Sequence, residues 1–357
     1  MIRLAAIVAQ YAPELLKQSD HLLPSQLSAL NAFQNCRSAT SPKMQLVCEP
    51  CAHEIWLPHS CGNRHCPHCQ AHESQRWIDQ QRQKLVPGNY FMITFTLPAE
   101  LRALTWRHQR EMYELITRNA WDTVNTFSRN DKKLRGSAGA VAVLHTHNRQ
   151  LDFHPHAHLV MPAVAFDAKQ RLWREKDSQY LFNHKALAKV FRAKMLDSIQ
   201  KAGLTLPARY PAEWVVDCKA VGTGHTALVY LGRYLYRGVL PEKNIVSNHN
   251  GRVTFRYQNS ATKKMETRTL GGVAFLKLLL QHILPKGFRR ARNYGFLHPN
   301  SKLTKRVQWI KKVIVPPPKP RPSVACPCCG NPLRILRTRV QTRHLMRSEV
   351  LNREMAM

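Results

Sequence analysis

The sequence predicts an α+β protein in three stretches: an N-terminal helical and zinc-ribbon part, a body of helices around a central antiparallel sheet, and a basic C-terminal tail. Three observations carry this. Strand-like and helix-like segments alternate irregularly, with hairpins, rather than in a βαβ rhythm. Six of the ten cysteines crowd into residues 36–69. The chain holds 54 Lys+Arg against 22 Asp+Glu, a net charge of +32, and residues 286–347 carry sixteen Lys/Arg with no carboxylate. Such a charge exceeds what a fold needs and calls for a polyanionic partner, nucleic acid first. At 357 residues and 44% hydrophobic content the chain can bury a sizeable core. No apolar run approaches the roughly 18–20 residues of a spanning helix, and the start MIRLAAIVAQYAPELLKQ lacks a signal's long apolar core. A cytoplasmic protein without a membrane role is expected, and there cysteines serve as thiolate ligands or free thiols rather than disulfides.

In order, the apolar spacing of APELLKQ and SQLSALNAF predicts short helices separated by Ser/Pro signals. Residues 36–69 read as loop, followed by a polar helix, AHESQRWIDQQRQKL, that stops at Pro87-Gly88. NYFMITFTL alternates and is rich in β-formers, so it is a strand, and residues 100–127 are helical. SAGAVAVLHTH and DFHPHAHLVMP form a hairpin, HKALAKVFRAKMLDSIQKAGL a helix and EWVVDCKAV a strand. GTGHTALVYLGRYLYRG is a helix closed by Gly238, and NHNGRVTFRY a hairpin turned at Asn250-Gly251. VAFLKLLLQHILPKGF is a last helix before the basic region, which the linker PPPKPRP divides. The expected domains are 1–86, helical and zinc-binding; 87–300, the α+β body; and 301–357, the tail with its CPCC motif.

Cys48-x2-Cys51 and Cys66-x2-Cys69, fourteen residues apart, have the knuckle spacing of a zinc ribbon, in which four thiolates make a tetrahedron. Cys61 is a further candidate ligand, and Cys36 and His65 lie nearby; the lone Cys326-x2-Cys329 pair is half a site. In DFHPHAHLV, a strand would set His154, His156 and His158 on one face. Neighbours there stand about 6.6 Å apart and can share an ion, whereas the outer two, at about 13 Å, cannot. A half-buried strand with hydrogen-bonded histidines is the plainer meaning of such a run. Tyr230 and Tyr234 stand four apart on a helix and share one face, alternating with Arg233 and Arg237, while Tyr236 points elsewhere. Alone this would be a packed aromatic stripe. Together with a two-histidine ion site, the pair fits attack on a phosphodiester: a phenol with pKa about 10 is a poor nucleophile until a divalent ion neutralises the phosphate.

These residues resemble a known family, the two-tyrosine HUH transposases of rolling-circle insertion sequences, HUH meaning His, hydrophobic, His. The likeness runs through CEPC, SCGNRHCPHCQ, YFMITFTLP, LDFHPHAH, WVVDCKA, YLGRYLYRG and HILPKGFRRARNYGFL in the family's order. The resemblance implies a zinc-binding N-terminal domain and an HUH endonuclease domain with a tyrosine-bearing helix beside a central antiparallel sheet. It implies His156 and His158 as the metal-binding pair, with His154 an accessory, and Tyr230 and Tyr234 as nucleophiles. The chain has His147 where the family often has an aromatic residue, so His145 and His147 both stand for the third ligand. Structural Zn2+ and catalytic Mg2+ or Mn2+ are the implied cofactors. Single-stranded DNA at transposon ends and target DNA are the implied partners, with self-association left open. Arg233, Arg237, Lys286, Arg289, Arg290 and Arg292 are the expected phosphate contacts. An HUH replication initiator or relaxase, or a non-catalytic zinc-ribbon DNA-binding protein, would share part of this pattern.

Overall fold

The structure, a computed structural model, describes residues 2–18, 22–236, 239–259, 261–314, 317 and 323–341. In chain order these form α1 (Leu4–Gln18), α2 (Pro24–Gln34), β1 (Lys43–Val47), β2 (Glu54–Pro58), α3 (Ala71–Arg82), β3 (Tyr90–Thr96), α4 (Arg102–Arg107), α5 (Gln109–Asn130), β4 (Gly139–His147), β5 (Phe153–Pro162), β6 (Val164–Asp167) and β7 (Leu172–Glu175). They continue with α6 (His184–Lys201), β8 (Val216–Ala220), α7 (His225–Tyr236), β9 (Ile245–His249), β10 (Arg252–Gln258), β11 (Met265–Gly271), α8 (Gly272–Leu280), β12 (Ala291–Gly295), α9 (Leu303–Ile310) and β13 (Arg334–Val340). Arg237 and all of the proline-rich linker except Pro317 lie outside the described residues.

The central sheet has five antiparallel strands in the order β12-β4-β5-β3-β8. Its two faces follow from alternation along each strand. Phe91, Ile93 and Phe95 of β3, Ala140, Ala142 and Leu144 of β4, and Ala157 and Leu159 of β5 join the larger core. Against them α5 lays Met112, Ile116, Ala120 and Val124, and α6 lays Leu187, Phe191, Met195 and Ile199, apolar rows at helical spacing. Each fully buried side chain of this size contributes about 1.5–3 kcal/mol, so Ile116→Ala would cost about 2–5 kcal/mol. Asn183 caps α6, its side chain accepting from the Ala186 amide at 3.0 Å. The opposite face sets Val141, Val143 and Val160 under α3 and α7, through Trp77, Ile78, Leu228, Leu231 and Leu235. The histidines of β4 and β5 lie on this second face.

The expected domain limits are not the packing limits. α1 and α2 share a core not with the cysteine-rich stretch alone but with β9–β11 and α8, through Ile7, Tyr11, Phe33, Phe255, Phe275 and Leu276. Tyr11 packs against Gly272, where an added Cβ would come within 2.4 Å of the ring. The described part of the basic tail holds regular structure: β13 pairs antiparallel with β1, completing the sheet β13-β1-β2. The helix expected over residues 273–288 stops at Leu280, and Pro285, which lacks a donor and disfavours helical dihedrals at Leu284, keeps it from resuming. The long helix over residues 100–127 is broken at His108, whose φ of −122° and ψ of 52° are not helical. Asn250 and Gly251, with φ of 48° and 73°, make the expected tight turn between β9 and β10.

Candidate active site and metal centres

The antiparallel register of β4 and β5 places His145 opposite His156 and Val143 opposite His158. Because both strands turn the same alternate positions to one face, the ligand nitrogens of His145, His156 and His158 lie within 4.8 Å of one another. The three rings are buried, with centroids 4.2 Å apart for His145 and His158 and 4.9 Å for His156 and His158. His147 does not join them. A bulge between His145 and His147 shifts the pairing, and the His147 ring lies 5.1 Å from that of His282 instead.

Neighbours fix the rings. The Nδ1–H of His156 donates to the carbonyl oxygen of His154 at 2.6 Å, which leaves Nε2 with its lone pair. Nδ1 of His158 is bonded to Thr94 Oγ1 at 2.9 Å, Thr94 being its cross-strand partner on β3. His154 therefore orients a neighbour through its backbone, while its own ring accepts from Arg102 Nη2 at 2.9 Å. Burial pushes His156 down to about 4 and holds His145 and His158 well below the usual imidazole range. All three are thus neutral near pH 7, the form a metal needs. Three imidazole nitrogens on one side of a cleft could hold a divalent ion, and as ligands they suit a transition metal better than the oxygen-seeking Mg2+.

α7 crosses this face so that Tyr230 stands over the histidines, its ring centroid 6.3 Å from those of both His145 and His158. The glycine of YLGRY explains the helix's position. An added Cβ on Gly232 would meet Ile78 at 2.3 Å, and Ser74 Oγ of α3 donates to the Gly232 carbonyl at 2.9 Å, so α3 and α7 meet closely at this point. Tyr230 is 50% exposed, and partial burial raises its pKa against the opposing pull of the Arg149 guanidinium. Tyr234 and Arg233 lie on α7, one turn and nearly one turn beyond Tyr230; their side chains are outside what is described. Histidines and Tyr230 open into a cleft of about 420 Å³, also lined by Arg149, Arg256 and Tyr257. The two arginines carry no motif; only the hairpins at 148–151 and 252–258 bring them here.

The expected phosphate contacts divide. Arg289 and Arg292 line a second cleft of about 830 Å³ with Lys84, Arg110, Trp77 and Tyr294. Lys286 is exposed and its carbonyl accepts from Arg110. Arg290 is instead buried, donating to the Leu235 carbonyl at the end of α7 at 3.3 Å, so it serves the helix and not the surface.

The four expected thiolates do not converge. Cys66 and Cys69 group with Cys36 and Cys61, and Cys48 and Cys51 with Cys326 and Cys329. The spacing rule failed because the hairpin β1–β2 carries Cys48 and Cys51 away from Cys66 and Cys69. In the first set Cys36 Sγ is 3.5 Å from Cys66 Sγ and 3.3 Å from Cys69 Sγ, far beyond a disulfide and close to the edge of a tetrahedron with zinc–sulfur bonds of about 2.3 Å. Four sulfurs so placed fit structural zinc.

No described helix is long and apolar enough to cross a membrane. Residues 7–97 match the model of the transposase zinc-binding domain, and residues 139–304 that of a "putative transposase" family. The chain is 29% identical over 317 residues to a protein of Sinorhizobium fredii described as putative transposase y4qJ, covering 82% of this chain and 79% of that one. It is 27% identical over 295 residues to the transposase for insertion sequence element IS801 of Pseudomonas savastanoi pv. phaseolicola, covering 76% and 70%. A solved structure of the conjugative relaxase TrwC with oriT DNA, metal-free, overlaps 35% of this chain and 48% of that one, about half its length, with a TM-score of 0.28 and 20% identity. The transposase model spans the histidine hairpin, α7 and β12, the IS91-type zinc-binding model spans the cysteines of the N-terminal part, and over both parts the chain is similar to insertion-sequence transposases of the IS91 and IS801 type.

Proposed function

We propose that the chain nicks and joins single-stranded DNA at the ends of its own element through 5'-phosphotyrosine links made by Tyr230 and Tyr234, with a divalent ion held by His145, His156 and His158. The observation that carries this reading is the placement of Tyr230 beside His145 and His158, two of the three clustered, buried and neutral imidazoles. An ion held by these three histidines would supply charge to neutralise the attacked phosphate and polarise its scissile bond. Thr94 and the His154 carbonyl keep the rings aimed at one point. Arg149 and Arg256 at the cleft wall attract the phosphate backbone, and Arg149 favours the phenolate of Tyr230 as the attack proceeds. The Tyr230 oxygen bonds to phosphorus as its proton passes to water in the cleft, and the bond from phosphorus to the 3' oxygen breaks, that oxygen taking up a proton from water to leave as a free 3'-hydroxyl. The phosphotyrosine keeps the bond energy, so a second strand's hydroxyl can displace it without ATP. Tyr234, one helical turn along, provides a second link, so two ends can be held at once.

The test is covalent capture. Full-length protein incubated with Mn2+ and a labelled single strand spanning an element end should give a protein–DNA adduct stable to denaturant. Adducts should vanish in the Tyr230→Phe/Tyr234→Phe variant while thermal stability is kept. Adducts that persist in the double variant would place the nucleophile elsewhere, Tyr236 being next in line. Normal nicking by a His156→Ala/His158→Ala variant would return the histidines to a structural role.

A further inference from the structure

We infer that Cys48, Cys51, Cys326 and Cys329 form a second structural zinc site, and that this ion is the clamp that fastens the C-terminal segment to the N-terminal hairpin. The two pairs lie 275 residues or more apart in sequence, yet Cys48 Sγ is 3.4 Å from Cys329 Sγ, and Cys51 Sγ is 3.6 Å from Cys326 Sγ and 3.5 Å from Cys329 Sγ. All four sulfurs fall within 4.8 Å of one another and none is in a disulfide. That is the spacing of a tetrahedral zinc with four thiolates, whose sulfur–sulfur edge is about 3.7 Å.

The two loops have the same construction, which a chance meeting of thiols would not produce. In each, a residue just after the second cysteine adopts positive φ: Ala52 at 54° and Gly330 at 73°. In each, the amide of the first cysteine closes the turn, Cys48 donating to the His53 carbonyl at 2.8 Å and Cys326 to the Asn331 carbonyl at 2.8 Å. Asn331 Nδ2 lies 3.5 Å from Cys329 Sγ and can donate to a thiolate. Strain at Ala52 is tolerated where the loop must aim two sulfurs at one point.

Little else holds this unit together. Its own core is Leu46, Leu333, Cys48 and Cys326, with Met44, Ile55 and Leu57 partly buried around them. β13 is exposed over residues 334–339, and the Arg334–Glu49 ion pair is on the surface, where solvent screening leaves such a pair little to contribute. A three-stranded sheet with so small a core needs a metal to persist, and its binding free energy then becomes docking free energy. Cys328 takes no part: CPCC offers three thiols, and the loop aims the first and third. Cys51 and Cys329 are exposed, whereas in the other set the four thiols alternate buried and half-buried, so the clamp is the more accessible to chelators of the two sites.

Elemental analysis of the full chain should find about two zinc per protein. Cys326→Ser/Cys329→Ser should retain one, and Cys328→Ser two. In the double variant, amide exchange should rise in residues 43–47 and 334–340 by tenfold or more while the central sheet keeps its protection. Timed chelation of the wild type should remove one zinc ahead of the other, with the same local change in exchange. One zinc in the wild type, two in the double variant, iron in place of zinc, or unchanged exchange in both strands on loss of that zinc would each overturn the proposal.

Discussion

Among single residues, His145 separates what spacing can say from what pairing adds. His156 and His158 declare themselves through the alternation of HPHAH, but His145 and His147 in LHTHNRQ are equivalent until the strands are registered. The bulge after His145 decides between them, and bulges leave no mark in a sequence. His145→Ala should therefore lower metal-dependent nicking by about 10²-fold or more, and His147→Ala far less, in assays on a single-stranded oligonucleotide. Equal losses would put the bulge in the wrong place. Thr94→Val removes the partner of His158 Nδ1 and should cost about 10–100-fold in metal affinity, read by titrating nicking with Mn2+. His282 gives a different signature. It is buried, its Nε2–H bonded to the Leu151 carbonyl at 2.8 Å, and burial lowers its pKa to about 4 from an unfolded value near 6.5. Above pH 6.5 both states are neutral and folding carries no penalty. As pH falls towards 4 only the unfolded state takes the proton, so stability is lost in that window, on the order of 3 kcal/mol for this group. Urea unfolding at pH 7 and pH 5 should show a smaller drop for His282→Gln than for the wild type.

At the level of elements, the sheet strands and the long helices were legible because their periods are unambiguous and their lengths ample. YFMITFT, FHPHAHLVMP and the apolar row of α6 leave little choice. β1 and β2 were not legible because five residues each are too short to show a period, and β13 was not because its partner β1 lies almost the full chain away. The same separation hid the true thiolate sets: a CxxC names a knuckle, but only the tertiary path names its partner. α7 was readable as a helix, but nothing in the sequence marks Gly232 as the place where α3 and α7 meet. Gly232→Ala in a free helix would gain about 1 kcal/mol. Here the new Cβ meets Ile78, so the same change should instead destabilise by about 1–3 kcal/mol and displace Tyr230 from the histidines. A second change, Ile78→Ala, opens the space and should restore the melting temperature in part. A Gly232→Ala protein more stable than the wild type would show that α3 yields.

Across the whole molecule the excess of positive charge sets how DNA is met, but not every arginine takes part. Arg290 belongs to the motif RRARN and reads as one of a basic run, yet its guanidinium is buried beneath the end of α7. Arg289 and Arg292 flank it on the surface and meet Lys84 and Arg110 in a cleft with Trp77 and Tyr294, a groove that offers cations to phosphates and aromatic rings to bases. Single-strand affinity should then fall linearly with salt on logarithmic axes, with about 0.7 of slope for each phosphate neutralised. Replacing Arg110, Arg289 and Arg292 together by Ala should reduce that slope by about 2 while leaving the melting temperature nearly unchanged, because none of the three is buried. Arg290→Ala should do the reverse. It removes a buried hydrogen bond at the helix that carries Tyr230, so stability and cleavage fall while the salt slope stays. Binding titrations at several salt concentrations, paired with thermal melts of both variants, decide it: an unchanged slope in the triple variant would move the DNA path to another basic face, of which exposed Arg334, Arg337 and Arg339 on β13 form the next candidate.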